Sequence, residues 1–239
     1  MGRLRLRRRR WLVAAGVPVL AVAVLAAEVQ AARGGTRLDD VELTYADDGD
    51  KTAVWLGDST AFGIGVTDGL DGVASLVAEA RHERVVMLAV SGATLHDVVN
   101  AQIHQVDGRQ VDRIYISVGA NDVTHLTKTG DFRTDYRDLL ARLPADVPVT
   151  VLGVPDMGAP TRLAQPLRAI AGYRGRQLDA VVRSVVRAQR RQPPTTYVDI
   201  EGRTGRAFRD DPHRYFAADQ FHPSPAGYGL WADAVLATV

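Results

Sequence analysis

Residues 53–60 read Ala-Val-Trp-Leu-Gly-Asp-Ser-Thr. An apolar run stops at Gly57, and a carboxylate (Asp58) and a hydroxyl (Ser59) follow at once. A buried parallel strand that ends at a ligand-facing sheet edge has this pattern, and open α/β sheets bind their ligands just outside the carboxyl ends of the strands. Ser59 is therefore expected at the chemical edge of a sheet.

Outward from this strand, apolar runs and helical periodicities alternate. Helical spacing covers residues 70–81, 95–106, 136–143, 163–190 and 224–238. Strand-like runs cover 84–90, 113–118, 147–154 and 196–200, and the run at 84–90 suggests a strand covered on both faces. Residues 201–221 show no clear period and are expected to be irregular. Five strands alternating with helices imply a single α/β domain with a five-stranded parallel sheet, helices on both faces and right-handed crossovers. Every strand-to-helix loop then lies on one edge. The polar clusters Asp58-Ser59, Ser91-Gly92, Asn121-Asp122 and Asp156 should converge there.

The ends of the chain carry other information. Residues 1–10 hold six arginines and no acid, and residues 11–27 are apolar throughout. A basic flank before an apolar segment reads as an export signal or a membrane anchor, with the domain outside the cytoplasm. Its length is at the lower edge of the roughly 17–25 residues that span a bilayer. An amphipathic core helix would not be apolar all round. The expected layout is a signal or anchor over 1–31, a solvated linker over 32–50 and the domain over 51–239. Without the six arginines the net charge of +1 becomes −5 for residues 11–239, which does not suggest nucleic-acid binding. The chain has no cysteine, so disulfides, thiolate metal sites and cysteine nucleophiles are excluded. The histidines are scattered, and no metal site or cofactor is implied.

A serine nucleophile needs a base within hydrogen-bond reach. His82 and His104 fall on polar sides of helices. His96 and His125 lie near the active edge without a carboxylate placed to orient them. His222 stands in Asp219-Gln220-Phe221-His222-Pro223, where Asp219 can accept from Nδ1–H and leave Nε2 free for the serine proton. His213, after Asp211-Pro212, is the rival base. Gly92 and the Ser59 N–H offer backbone donors for an oxyanion and Asn121 a side-chain amide, although Gly92 also fits a turn and Asn121 a helix cap. Gly63-Ile64-Gly65 alone is too little for a phosphate-cradling loop.

Four blocks occur in order: Gly57-Asp58-Ser59 after the first strand, Gly92 after the second, Gly119-x-Asn121-Asp122 after the third, and Asp219-x-x-His222-Pro223 before the last helix. Together they resemble the SGNH (GDSL-type) hydrolase family over about residues 53–236. The resemblance implies a flavodoxin-like three-layer α/β/α sandwich and a serine esterase. It implies Ser59 as nucleophile, His222 as base, Asp219 as its orienting group, and Ser59, Gly92 and Asn121 as the oxyanion hole. Asp58 would hold the nucleophile turn. Thr60 departs from the leucine of the family's name motif. Phe62, Ile64 and Met157 are candidates for an acyl pocket, with plain packing the competing role. The expected substrates are lipid or O-acetylated carbohydrate esters. Acyl transfer to an envelope glycan or lipid, and a non-catalytic envelope-binding domain on the same scaffold, stay open as alternatives.

Overall fold

The computed structural model describes residues 27–30, 34, 38 and 42–239. The apolar run at 11–26, most of the 1–31 signal and most of residues 32–41 lie outside them. Among the described residues no helix is long and apolar enough to cross a membrane.

Five strands form one parallel sheet: β1 (Lys51–Gly57), β2 (Glu83–Met87), β3 (Arg113–Ser117), β4 (Val149–Leu152) and β5 (Thr196–Val198). Their order is β2-β1-β3-β4-β5, the doubly wound flavodoxin-like arrangement. β1 is flanked on both sides, pairing Trp55 with Met87 and with Tyr115. Its side chains alternate between two cores, as the two-residue period of a strand requires. Val54 and Leu56 face a core shared with the helical segments 95–106, 129–142 and 167–188. Ala53 and Trp55 face the opposite core, where Trp55 stacks on Tyr115 at 4.5 Å. Two helical layers thus enclose one sheet.

The helices are α1 (Ser59–Phe62), α2 (Val73–Arg81), α3 (Leu95–Asp97), α4 (Ala120–Thr124), α5 (Thr129–Arg142), α6 (Leu167–Ala188), α7 (Ile200–Asp210), α8 (Pro212–Tyr215) and α9 (Pro225–Leu236). The segment after α3 is irregular. It continues as a π-helical turn, Val98–Gln102, and a 3₁₀ turn, Ile103–Gln105.

Three expectations need correction. The strand expected over 84–90 ends at Met87 and lies at the sheet edge, with Val86 packed on one core and Val85 and Met87 on the other, all half-buried. An apolar run reports affinity for a core and not the number of neighbouring strands. The edge is instead shielded by the stretch expected to be a solvated linker. The Val85 N–H donates to Ala46 O (2.7 Å) and the Asp50 N–H to His82 O (3.1 Å). Covering an edge in this way blocks unwanted strand pairing. Ala46 is buried, and the Tyr45 hydroxyl donates to Phe62 O, so residues 42–50 pack on the domain. Finally, 201–221 is not irregular. α7 buries Ile200, Thr204 and Phe208 at a four-residue spacing, and Asp199 caps it by accepting from the Gly202 N–H. Ile200, Thr204 and Phe208 keep a helical spacing, obscured in the sequence by Gly202, Gly205 and the many charged residues between them.

Candidate active site

Gly57 ends β1 at φ +139°, and a Cβ there would lie 1.8 Å from Ser117 O. Only glycine fits so close to β3 in that conformation. Both polar groups of its backbone are held by one buried side chain. Gln102 Oε1 accepts from the Gly57 N–H and Gln102 Nε2 donates to Gly57 O, each at 2.8 Å. The Asp58 N–H donates to Ser117 O. Asp58 Oδ1 then accepts from the Thr60 N–H (2.9 Å) and Thr60 Oγ1 (2.7 Å), capping α1. Thr60 Oγ1 also shares a 2.7 Å hydrogen bond with Ser117 Oγ. Threonine in place of leucine thus adds a polar lock between the Ser59 turn and β3. Burial pushes the Asp58 carboxyl up to about 6, against the opposing hydrogen bonds from Thr60. Ser59 is the first residue of α1, where helix N–H groups have no partner within the helix.

The other end of the domain brings His222 to Ser59. His222 Nε2 lies 3.0 Å from Ser59 Oγ, and its Nδ1 lies 2.6 Å from Asp219 Oδ2. Asp219 Oδ1 accepts from the N–H groups of Phe221 and His222, both at 3.0 Å. The carboxylate therefore folds its own turn around the imidazole. Burial pushes the Asp219 carboxyl up, but the hydrogen bond and charge of His222 with the two backbone N–H groups outweigh it, and the net direction is downward. Gln220 sits in this turn at φ +57°, held by the Arg162 N–H on its carbonyl and Thr161 Oγ1 on its side-chain oxygen.

The remaining histidines sit elsewhere. His213 is exposed on α8. His125 Nδ1 faces Asn121 O at 2.8 Å, and His104 faces the Arg142 guanidinium. His96, expected to lack a carboxylate, has Asp135 at 3.4 Å on the exposed surface, because α5 begins earlier than its sequence period suggested and places Asp135 across from α3. Among the described residues only His222 bonds to Ser59.

Gly92 occupies a turn closed by the Ala93 N–H on Val90 O, with φ +83°. It is exposed, and a Cβ there would meet nothing within 4 Å. The Asn121 amide donates to Ala93 O at 3.0 Å, and Asp122 Oδ2 accepts from the Leu95 N–H at 2.9 Å. Two adjacent residues after β3 thus clamp the loop after β2. One Asn121 N–H is used in the clamp, and the other is available to a ligand.

Beside Ser59 and His222 opens an apolar pocket of ≈ 490 Å³ counting its solvent-filled mouth. Its walls include Met157, Phe208, Phe216, Phe221 and Trp231. Phe62 and Ile64 do not line it. α1 turns back at Gly63, so Phe62 meets Tyr45 edge-on at 6.1 Å and Ile64 O accepts from the Tyr228 hydroxyl. Phe208 comes from α7, Phe216 and Phe221 from the segment before His222, and Trp231 from α9. On the other side of His222 lies a wider groove bordered by Asn121, Leu163 and Ile170. No three His, Asp or Glu side chains among the described residues are grouped to hold a metal ion.

The profile of the GDSL-like lipase/acylhydrolase family matches residues 55–230. A GDSL-like esterase of Mycobacterium tuberculosis is 34% identical over 189 residues, which are 74% of this chain and 58% of that protein. The chain thus spans little more than half the length of this curated relative. Two solved structures share the fold. The phospholipase A1 of Streptomyces albidoflavus superposes with a TM-score of 0.62 at 18% identity, covering 79% of this chain and 99% of that one. A catalytic mutant of an acetylxylan esterase of Geobacillus stearothermophilus gives 0.58 at 19% identity, covering 79% and 94%. With the family profile covering most of the domain, the chain belongs to the GDSL-like lipase/acylhydrolase family.

Proposed function

We propose that the chain hydrolyses carboxylic esters with Ser59 as nucleophile, His222 as general base and Asp219 as its orienting group. The observation that carries this reading is the line of contacts from Ser59 Oγ through His222 to Asp219 at the carboxyl edge of the sheet. Ser59 Oγ bonds to the acyl carbon as His222 Nε2 takes its proton. The oxyanion is met by the N–H groups of Ser59 and Gly92 and by the Asn121 amide. The ester C–O bond breaks as His222 returns the proton to the leaving alcohol. Water, activated by the same imidazole, then releases the acid. Asp219 stays ionised throughout, held by His222 and the two N–H groups.

The apolar pocket suits the acyl group. The phospholipase A1 and the acetylxylan esterase share this fold, so fold likeness alone does not choose between lipid and O-acetyl carbohydrate esters. The groove across His222 gives access to an alcohol, so transfer of the acyl group to an acceptor alcohol is the second reading. Residues 11–27 would carry the domain out of the cytoplasm as a signal or an anchor.

The test is turnover of 4-nitrophenyl acetate with labelling by a fluorophosphonate probe. Wild-type protein should do both and Ser59→Ala neither; equal turnover by the variant overturns the assignment. Adding an acceptor alcohol and looking for new ester separates transfer from hydrolysis.

A further inference from the structure

We propose that the groove on the far side of His222 binds the alcohol half of an ester that carries an anionic group, a phosphate or carboxylate, through Arg174. This rests on the esterase reading and extends it to the leaving group. Arg174 lines the groove together with Asn121, Asp219 and His222. One Arg174 N–H donates to Thr127 O at 2.9 Å, while its Nε is buried with no hydrogen-bond partner. Among the described residues no carboxylate lies within ion-pair reach of Arg174. Other arginines do have carboxylate partners, among them Arg183 with Asp179, Arg113 with Glu83 and Arg142 with Asp138.

A buried guanidinium N–H without an acceptor is costly unless a ligand completes it. The planar fork of arginine suits phosphate and carboxylate oxygens. Arg162 lies in the same wall and is tied to the triad turn through its main-chain N–H on Gln220 O. The N-terminus of α6 does not supply the site, because Glu28 already accepts from the Leu167 N–H. The enclosed apolar pocket takes the acyl chain, and the cationic groove takes the charged alcohol.

Matched esters test this. Acetyl-glycerol 3-phosphate is compared with monoacetin, and dodecanoyl-glycerol 3-phosphate in vesicles with monododecanoin. The expected result is a phosphate-over-neutral preference in kcat/KM that falls about 10-fold in Arg174→Met and less in Arg174→Lys. The chain length at which the preference is larger tells a soluble substrate from a lipid headgroup. No preference in the wild type, or an unchanged ratio in Arg174→Met, overturns the proposal while neutral-ester turnover leaves the esterase reading standing. Calorimetry of glycerol 3-phosphate against glycerol on Ser59→Ala gives a readout without turnover. Selective binding of the phosphate, lost in Arg174→Met, supports the site, and equal or absent binding overturns it.

Discussion

Replacing Gln102 by leucine tests how Ser59 is held. Gln102 is 1% exposed and pairs with both the N–H and the C=O of Gly57, two residues before Ser59. Leucine is close in size, so the cavity contribution is small. Gly57 O keeps the Val90 N–H at 3.1 Å, but the Gly57 N–H loses its acceptor. An orphaned buried donor costs about 1–3 kcal/mol and the second lost bond about 1 kcal/mol. The total of about 2–4 kcal/mol corresponds to a fall in Tm of roughly 5–15 °C for a domain of this size. The turn should also move, and a displacement of about 1 Å at a reacting group costs up to ~10²-fold in rate. Circular dichroism melts and kcat/KM on 4-nitrophenyl acetate read the two effects separately. Gln102→Glu sharpens the test. The glutamate keeps the acceptor for Gly57 N–H but can donate to Gly57 O only when protonated, so this variant should gain stability as pH falls from 7 to 5. A leucine variant with Tm within ~2 °C of wild type and unchanged kcat/KM would refute the reasoning.

Three other outcomes follow from the geometry. His222→Ala should remove nearly all esterase turnover and His213→Ala little of it, since only His222 reaches Ser59; the reverse ranking in a nitrophenyl ester assay would assign the base to His213. Asp58 has a folded-state value of about 6 against 3.8 when unperturbed. Its contribution is therefore fully present below 3.8 and is lost as pH rises through about 6, on the order of 3 kcal/mol in all. Urea midpoints at pH 4.5 and 7 should show that slope in the wild type and lose it in Asp58→Asn. Gly57→Ala should fail to yield active protein because its methyl would overlap Ser117 O. Gly92→Ala, with open space around its Cβ, should fold with only the roughly 1–2 kcal/mol penalty of a left-handed alanine, measured by chemical denaturation.

The site was legible in the sequence where chain order alone places chemistry. In a parallel sheet each strand end returns to the same edge, so Ser59, Gly92 and Asn121 could be gathered from loops after β1, β2 and β3 without knowing any contact. Asp219 and His222 were readable because a three-residue spacing lets one carboxylate hold both the imidazole and its own turn. What was not legible depends on where side chains go after the chain leaves that edge. Phe62 and Ile64 follow the nucleophile in sequence, yet Gly63 turns them toward Tyr45 and Tyr228. Phe208 and Phe216, walls of the apolar pocket, come from a stretch in which glycines and dense charge obscure the helical spacing of Ile200, Thr204 and Phe208. Gln102 carried no signal at all. It lies in a helical stretch with apolar neighbours, and only the π-helical turn at Val98–Gln102 aims its amide at Gly57.

The two ends of the Ser59–His222–Asp219 line are held by unequal means. Ser59 is fixed from three directions by buried contacts, through Gln102 on Gly57, Ser117 on Asp58 and Thr60, and Asp58 on α1. His222 is fixed by one turn, closed by Asp219 and braced by Thr161 and Arg162 from the loop after β4. That loop also supplies Met157 to the acyl pocket, and Arg162 borders the groove across His222. Any group that occupies the groove therefore bears on the segment that aims the histidine. Binding energy from the leaving-group side can be spent on aligning Nε2 with Ser59 Oγ, so groove substitutions should lower kcat for charged esters as well as raise KM. A purely adhesive groove would move KM alone.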